Sequence, residues 1–553
     1  MHASIELAST KLDEQTKMEV RFLGAIGTVT GSCTWLRDMD KGLSFLVDCG
    51  VLHGESAQNH WSDKESWPFD PRTLNFVVLT HAHLDHCGLI PLLYKKGFRG
   101  PVWCTPETKD IATEVLKDAA YITKLFTHLD IDNIKWRFPS DRFCLGSYVP
   151  VGQDLFLRFY RSGHILGAAS VMVVWGPVKG PQGNILFSGD IGPGGEDKET
   201  LPILRFPMGV RDYDYAVIES TYGAVAREDS EKSPTERLNR LRDSIEYICN
   251  SGGTLLLPAF AVGRAQDLLF EIHRVFAENP GKYDDVDVYL DGAMAGRVGA
   301  MLAEFYARFD IINNEKVRPR WLGKQVFRSL GLDSSDPDDI DVAIDIVKRS
   351  ISISEDECEG FTPYSRGGDV VRAWRPLLKK YKGPPSESLS PRIVICGSSD
   401  GQFGKASQWI PFLLGSPDNM IGSTGYCAPE TAMSRLLALS RLPSSERRKH
   451  PGSISWGKDR TFRIRDIQAK VVALTGYSGH ADQPDLVSWV FDYHFQNPRS
   501  VHRTVFIQHG NDQSRTALRE AIVNEAQKLG DQMTVETPSL EEGIRWYPLE
   551  VKS

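Results

Sequence analysis

The opening part of the chain sets short apolar runs between turns. Residues 20–23, Leu43–Val47 and residues 76–79 read as buried strands, each closed by a turn or a polar residue. Residues 110–128 carry helical spacing, with Ile111, Val115 and Leu116 on one face. Strand character returns at 155–160, 171–175 and 184–187. A strand-rich stretch with interspersed helices predicts a layered α/β unit.

A second regime starts near Tyr215. Residues 215–218 read as a strand and 233–250 as a helix, with Pro234 near its start. Residues 254–257 form a further strand, followed by Gly263, Arg264 and an amphipathic helix running through Phe276. Strand–turn–helix units of this kind suit a parallel sheet. The stretch 333–390 is richer in Asp, Ser, Gly and Pro and reads as surface insertions. Strand character resumes at 393–395, then at 463–474 and 504–508, with a helix at 484–494 between the last two. No internal repeat is visible.

At 553 residues the chain exceeds what one hydrophobic core serves, so at least two folding units are expected. Hydrophobic content of 41% and charged content of 25% exclude a disordered or fibrous protein. Residues 1–17 are polar and charged, read as a flexible N-terminus with no signal peptide. No segment has the apolar length of a membrane span, which predicts a soluble cytoplasmic protein. The nine cysteines are scattered and form no C-x-x-C pair, the pattern of reduced thiols. Cys49 and Cys87 read as small packing residues. A net charge of −8 disfavours non-specific nucleic-acid binding but leaves room for a local phosphate-binding cleft.

The chemistry concentrates in Phe76-Val-Val-Leu-Thr-His-Ala-His-Leu-Asp-His-Cys-Gly88. A hydrophobic strand runs into a loop bearing His81, His83, Asp85 and His86. Imidazoles suit zinc and its neighbours, and the carboxylate adds a hard charged ligand. Spacing by two lets His81 and His83 point the same way, while Asp85 and His86 turn towards a second ion.

This loop resembles the metallo-β-lactamase superfamily, whose signature is H-x-H-x-D-H. The resemblance continues through Asp48, which matches an acid that orders the ligand loop, and through His164 in Ser162-Gly-His-Ile-Leu-Gly-Ala-Ala169. Asp190 in Phe187-Ser-Gly-Asp190 matches the acid bridging both metals, and His509 in Phe506-Ile-Gln-His-Gly510 the last ligand. It implies one ion on His81, His83 and His164, another on Asp85, His86 and His509, and Asp190 shared.

Further stretches are similar to the β-CASP nucleases. Glu219-Ser-Thr-Tyr-Gly223 matches motif A, and Gly476-Tyr-Ser-Gly-His-Ala-Asp482 looks like motif B, with His480 as its histidine. Pro258-Ala-Phe-Ala-Val-Gly-Arg-Ala-Gln-Asp267 matches another of that group's stretches. Arg264 is open between a helix-surface residue and a phosphate contact; its place beside Gly263 at the helix start favours the phosphate. His509 falls at motif C, where RNA-processing members have histidine and DNA-repair members tend to valine. The resemblance implies an αββα sandwich over 18–214 and 463–553, interrupted by a β-CASP α/β domain over 215–462.

It also implies two zinc ions, with manganese as an alternative, an RNA substrate, and a homodimer or protein partner that adds specificity. The expected enzyme is a metal-dependent ribonuclease in which metal-held water attacks phosphorus and leaves a 5′-phosphate and a 3′-hydroxyl. His480 is the candidate general acid, Glu219 its orienting carboxylate, and Asp85 a ligand with a catalytic share. Endonuclease and exonuclease action stay open. The rivals are a DNA nuclease of the same architecture, a small-molecule ester or lactam hydrolase, and an idle scaffold subunit.

Three stretches depart from the pattern. The loop Cys396-Gly-Ser-Ser-Asp-Gly-Gln-Phe-Gly404 offers Ser398 and Ser399 as phosphate donors but adds Asp400, which would repel one. Glu430 replaces a usual glycine in 425–431, and Asn511 stands where an acid is usual.

Overall fold

A computed structural model describes residues 18–551, except 53–66, 140–145, 196–198, 211–212, 313–314, 352–370, 374–390, 399, 402–403, 426, 428–430, 457–459, 492–501 and 540–544. Two seven-stranded sheets face each other. The first runs, edge to edge, through Tyr547–Leu549, Met18–Phe22, Thr34–Asp38, Leu43–Val47, Phe76–Val78, Val102–Trp103 and Trp136–Arg137. The second runs through Met533–Glu536, Arg503–Ile507, Tyr215–Ile218, Gly183–Phe187, Ala169–Trp175, Leu155–Arg161 and Val149–Gly152.

The core between them is apolar from both sides. Val20, Leu36, Phe45, Val47 and Phe76 of the first sheet pack on Phe159, Val171, Val173, Phe187 and Phe506 of the second. Helices cover the outward faces where the strands are apolar on that side too, whereas Met18–Phe22 and Thr34–Asp38 alternate and turn Glu19, Arg21 and Arg37 away from the core. Pro106–Thr123 lays Ile111, Val115 and Leu116 on Leu46, Val77 and Leu79 of the first sheet. Gln483–Phe491 and Asp512–Leu529 lay Leu486, Val490, Leu518 and Ile522 on Val174, Leu186, Ile218 and Ile507 of the second. This is the expected αββα sandwich.

A third, six-stranded sheet is parallel throughout, in the order Val371–Ala373, Asp287–Asp291, Arg392–Cys396, Thr254–Pro258, Met420–Ser423, Lys470–Ala473. Helices Pro234–Ser251 and Arg264–Ala277 cover one face, and Ala406–Leu413 with Ala432–Ser440 covers the other. No helix among the described residues is long and apolar enough to cross a membrane.

Several boundaries move. Tyr215–Ile218, read from the sequence as the start of the inserted domain, pairs in parallel with Gly183–Phe187 and Arg503–Ile507, so it belongs to the sandwich. Lys470–Ala473, read as part of the return segment, pairs with Met420–Ser423 and closes the third sheet instead. The expected strand at 463–474 is split by the short turn Ile464–Asp466, and Arg460–Arg463 pairs with Ser453–Trp456. The first long helix starts at Pro106, not 110, because Thr105 caps it by accepting from the Thr108 amide; it stops at Lys124, whose backbone turns left-handed. The insertion at 333–390 contains a regular helix, Pro337–Ile351.

One close approach fixes the metal-loop backbone. A Cβ on Gly50 would lie 1.7 Å from the carbonyl oxygen of Asp85. Gly50→Ala is expected to lower stability by about 1–3 kcal/mol, because the Asp85 peptide must move. A thermal melt of the variant tests this, and an unchanged midpoint would show that the backbone yields without cost.

Candidate metal centre

The H-x-H-x-D-H loop leaves the buried strand Phe76–Val78 and enters the short helix Leu84–Cys87, which places Asp85 and His86 in its first turns. The remaining cluster residues arrive from the second sheet. His164 follows Leu155–Arg161, Asp190 follows Gly183–Phe187, and His509 follows Arg503–Ile507. His509 has a left-handed backbone, φ 56°, which a residue other than glycine seldom adopts. Its amide donates to the Ala25 carbonyl at 2.7 Å, which holds that conformation.

Two groups of donor atoms result. In the first, His83 Nδ1 lies 3.2 Å from His81 Nε2 and 3.1 Å from His164 Nε2, while Asp190 Oδ2 lies 3.4 and 3.5 Å from the same two Nε2 atoms. In the second, His86 Nε2 and His509 Nε2 are 3.2 Å apart, with Asp85 Oδ2 3.5 Å from His509 Nε2. Asp190 Oδ1 is 3.5 Å from His86 Nε2, so this one carboxylate serves both groups.

The spacing has a chemical meaning. Ligand bonds of about 2.0–2.1 Å in tetrahedral array put donors roughly 3.3 Å apart, and the observed separations bracket that value. Imidazole nitrogens facing one another at this distance would otherwise repel. The protonation balance agrees. Burial, the largest influence, holds His81 and His164 well below the ordinary imidazole value and His83 at about 4, so they present lone pairs. Burial would lower His86 and His509 as well, but the adjoining Asp190 and other carboxylates push both up. Asp190 and Asp85 are held low against burial by the surrounding imidazoles.

A second layer orients the rings. Asp48 Oδ2 lies 2.7 Å from His86 Nδ1, and the same carboxylate accepts from the Thr80 amide and hydroxyl. Thr80 Oγ1 is 3.1 Å from His81 Nδ1, Thr221 Oγ1 is 3.2 Å from His509 Nδ1, and the Gly479 carbonyl is 2.7 Å from His164 Nδ1. Each contact commits one ring nitrogen outward and leaves Nε2 facing inward.

Beside the cluster, His480 Nδ1 sits 3.1 and 3.2 Å from the two Glu219 oxygens, and its ring centre is 4.4 Å from that of His164. Glu219 also accepts from the Ile191 and Thr221 amides, so its side chain is held on a fixed axis. Asp190, Glu219 and His480 together also satisfy a metal-site geometry, but those hydrogen bonds already occupy Glu219. The segment carrying His480 is anchored in the third-sheet domain: Tyr477 donates to Glu271 at 2.5 Å, and Glu271 pairs with the buried Arg237 at 2.8 Å.

A family model described as the metallo-beta-lactamase superfamily matches residues 26–231, the Beta-Casp domain matches 265–436, and the Zn-dependent metallo-hydrolase RNA specificity domain matches 465–536. The chain is a β-CASP member of the metallo-β-lactamase superfamily. It is 27% identical over 517 residues to Ribonuclease TTHA0252 of Thermus thermophilus, covering 93% of this chain and 97% of that protein. It is 27% identical over 484 residues to Transcription termination factor FttA of Methanocaldococcus jannaschii, covering 86% of this chain and 64% of the factor. An RNase J-like protein of that organism is 30% identical over 278 residues, covering 50% of this chain and 58% of its own length.

In this β-CASP protein, all of the H-x-H-x-D-H residues, His164, Asp190 and His509 meet at the two donor groups, with Asp48 behind them and the His480–Glu219 pair alongside. Arg264 lines the adjoining cavity with His83, His164, Phe260 and His480. Ser398 is not among the residues that line it, and its hydroxyl donates to the Asp400 carboxylate. Ser399 and Glu430 lie outside the described residues. Asn511 caps the helix Asp512–Leu529, its side chain accepting from the Ser514 amide at 2.8 Å, a task an acid performs equally well. Sequence reasoning missed Thr80, Thr221 and Arg227. The first two stand inside quoted motifs, and only their distance to a ring nitrogen reveals them; nothing in the sequence singles out Arg227.

Proposed function

We propose that this chain is a metal-dependent ribonuclease that hydrolyses RNA phosphodiester bonds and leaves a 5′-phosphate and a 3′-hydroxyl. The observation that carries this reading is the His480–Glu219 pair set 4.4 Å, ring to ring, from His164 of the metal cluster. A simple ester or lactam hydrolase has no need of that second site. The ribonuclease relatives and the matched RNA specificity domain favour RNA over DNA.

Two zinc ions would be held by these donor groups, one by His81, His83 and His164, the other by Asp85, His86 and His509, with Asp190 available to both. When bound, such ions lower the pKa of water to about 7 and place positive charge against the phosphate oxygens. The protein's own part follows from its geometry. Glu219 fixes His480 Nδ1 and so aims Nε2 away from the carboxylate, where it delivers a proton to the departing 3′-oxygen. Arg264 contributes a guanidinium to the cavity wall, where it meets phosphate charge.

The test is cleavage of matched single-stranded RNA and DNA oligonucleotides by zinc-loaded protein, with Asp85→Ala as control. RNA cleavage that disappears in the control is the expected result. Cleavage of DNA instead would make this a DNA nuclease, and no cleavage of either by protein holding two metals would overturn the reading.

A further inference from the structure

Beside His480, the buried Arg264 and the partly buried Arg227 each keep one nitrogen that meets no partner among the described residues. Arg264 is only 8% exposed; its Nε donates to the Tyr477 carbonyl at 3.1 Å, while Nη1 is buried without a hydrogen bond. Arg227, on the loop after Glu219-Ser-Thr-Tyr-Gly223, donates from Nη1 to the His480 carbonyl at 3.1 Å, and its Nη2 is likewise buried and unbonded. An unmet donor on a permanent cation is costly inside a protein, and an anion supplied from outside would satisfy it.

The surroundings preserve both charges for such a ligand. Arg227 lies over the Tyr222 ring at 4.1 Å and Arg264 over the Phe260 ring at 5.0 Å, contacts that brace a guanidinium without neutralising it. The nearby acids are otherwise engaged. Asp482 is paired with Lys232 at 2.8 Å, and burial pushes Asp267 up to about 7. Burial also depresses Arg264, with Arg227 close enough to act in the same direction. Gly425 packs against Arg264: a Cβ there would lie 2.0 Å from Nη1, so the guanidinium keeps its place on the cavity wall only because the residue is glycine.

We propose that Arg227 and Arg264 form a paired guanidinium site for a backbone phosphate of the RNA next to the one at the metal cluster. The site rests on the ribonuclease reading and deepens it. Both arginines hold the main chain of the segment 477–480, so an occupied phosphate site also fixes the position of His480. The two are therefore substrate-binding residues that position the proton donor through its own backbone.

The experiment measures KM and kcat for a single-stranded RNA with the zinc-loaded protein over a series of salt concentrations, for the parent, Arg227→Ala and Arg264→Lys. Arg227 is only partly buried, so its replacement is tolerated by the fold; Arg264→Lys keeps the charge but loses the planar fork. Each variant is expected to raise KM by roughly 10–100-fold. Arg227→Ala is expected to reduce the slope of log KM against log salt by about 0.7, the share of one phosphate contact on a single strand. Arg264→Lys keeps the slope. Unchanged KM and slope in Arg227→Ala, with RNA still cleaved by the parent, would overturn the paired site and leave the ribonuclease reading standing. A parent that neither binds nor cleaves RNA would remove both.

Discussion

Asp190→Ala is expected to strip metal from both donor groups and bring turnover down to the level of protein without metal. Among the described residues Asp190 is the only carboxylate that touches both groups, with Oδ2 3.4 and 3.5 Å from His81 and His164 and Oδ1 3.5 Å from His86. Without it, the first group keeps three neutral imidazoles and no anion, and the second keeps Asp85 alone. Loss of activity should exceed about 10⁴-fold, more than removal of a general acid produces. Elemental analysis of the purified variant decides the matter. Two metals retained per chain would show that the histidines suffice and that Asp190 does not join the two groups.

His480→Ala is expected to cut RNA turnover by about 10²–10⁴-fold while metal content stays as in the parent. His480 Nδ1 is committed to Glu219, whose oxygens also hold the Ile191 and Thr221 amides, so the ring is built into a hydrogen-bonded pair and not into the ion's coordination. Glu219→Gln should produce a smaller loss, about 10–100-fold, because the ring remains but its axis loosens. Metal loss in His480→Ala would make this histidine a ligand, and unchanged turnover would remove it from the mechanism.

The metal loop was readable in the sequence because four of its donors fall within a single turn of chain after an apolar strand. His164, Asp190 and His509 were not readable in that way. Each is a single polar residue behind a strand, and only the resemblance to a family joined them to the loop. The fold divides similarly. The strand–helix alternation announced a parallel sheet, yet the sheet to which Tyr215–Ile218 and Lys470–Ala473 belong depends on partners far along the chain, Arg503–Ile507 and Met420–Ser423. Local pattern sets a strand's faces, not its neighbour. Arg227 was invisible for another reason. An arginine in a loop is ordinary by sequence, and only the unmet nitrogen beside the His480 carbonyl sets it apart.

Both sheets of the sandwich take strands from the far end of the chain: Arg503–Ile507 and Met533–Glu536 enter the second, and Tyr547–Leu549 lies against Met18–Phe22 at the edge of the first. His509 rides on the first of these late strands. During synthesis, then, the early half emerges from the ribosome with its strands unpaired on one side and its donor set short by one, and it stays so while the entire middle domain is made. A product cut short in translation holds most of the liganding histidines and still builds no finished centre. The second donor group is therefore complete only once the chain through Arg503–Ile507 has been made and paired with Tyr215–Ile218.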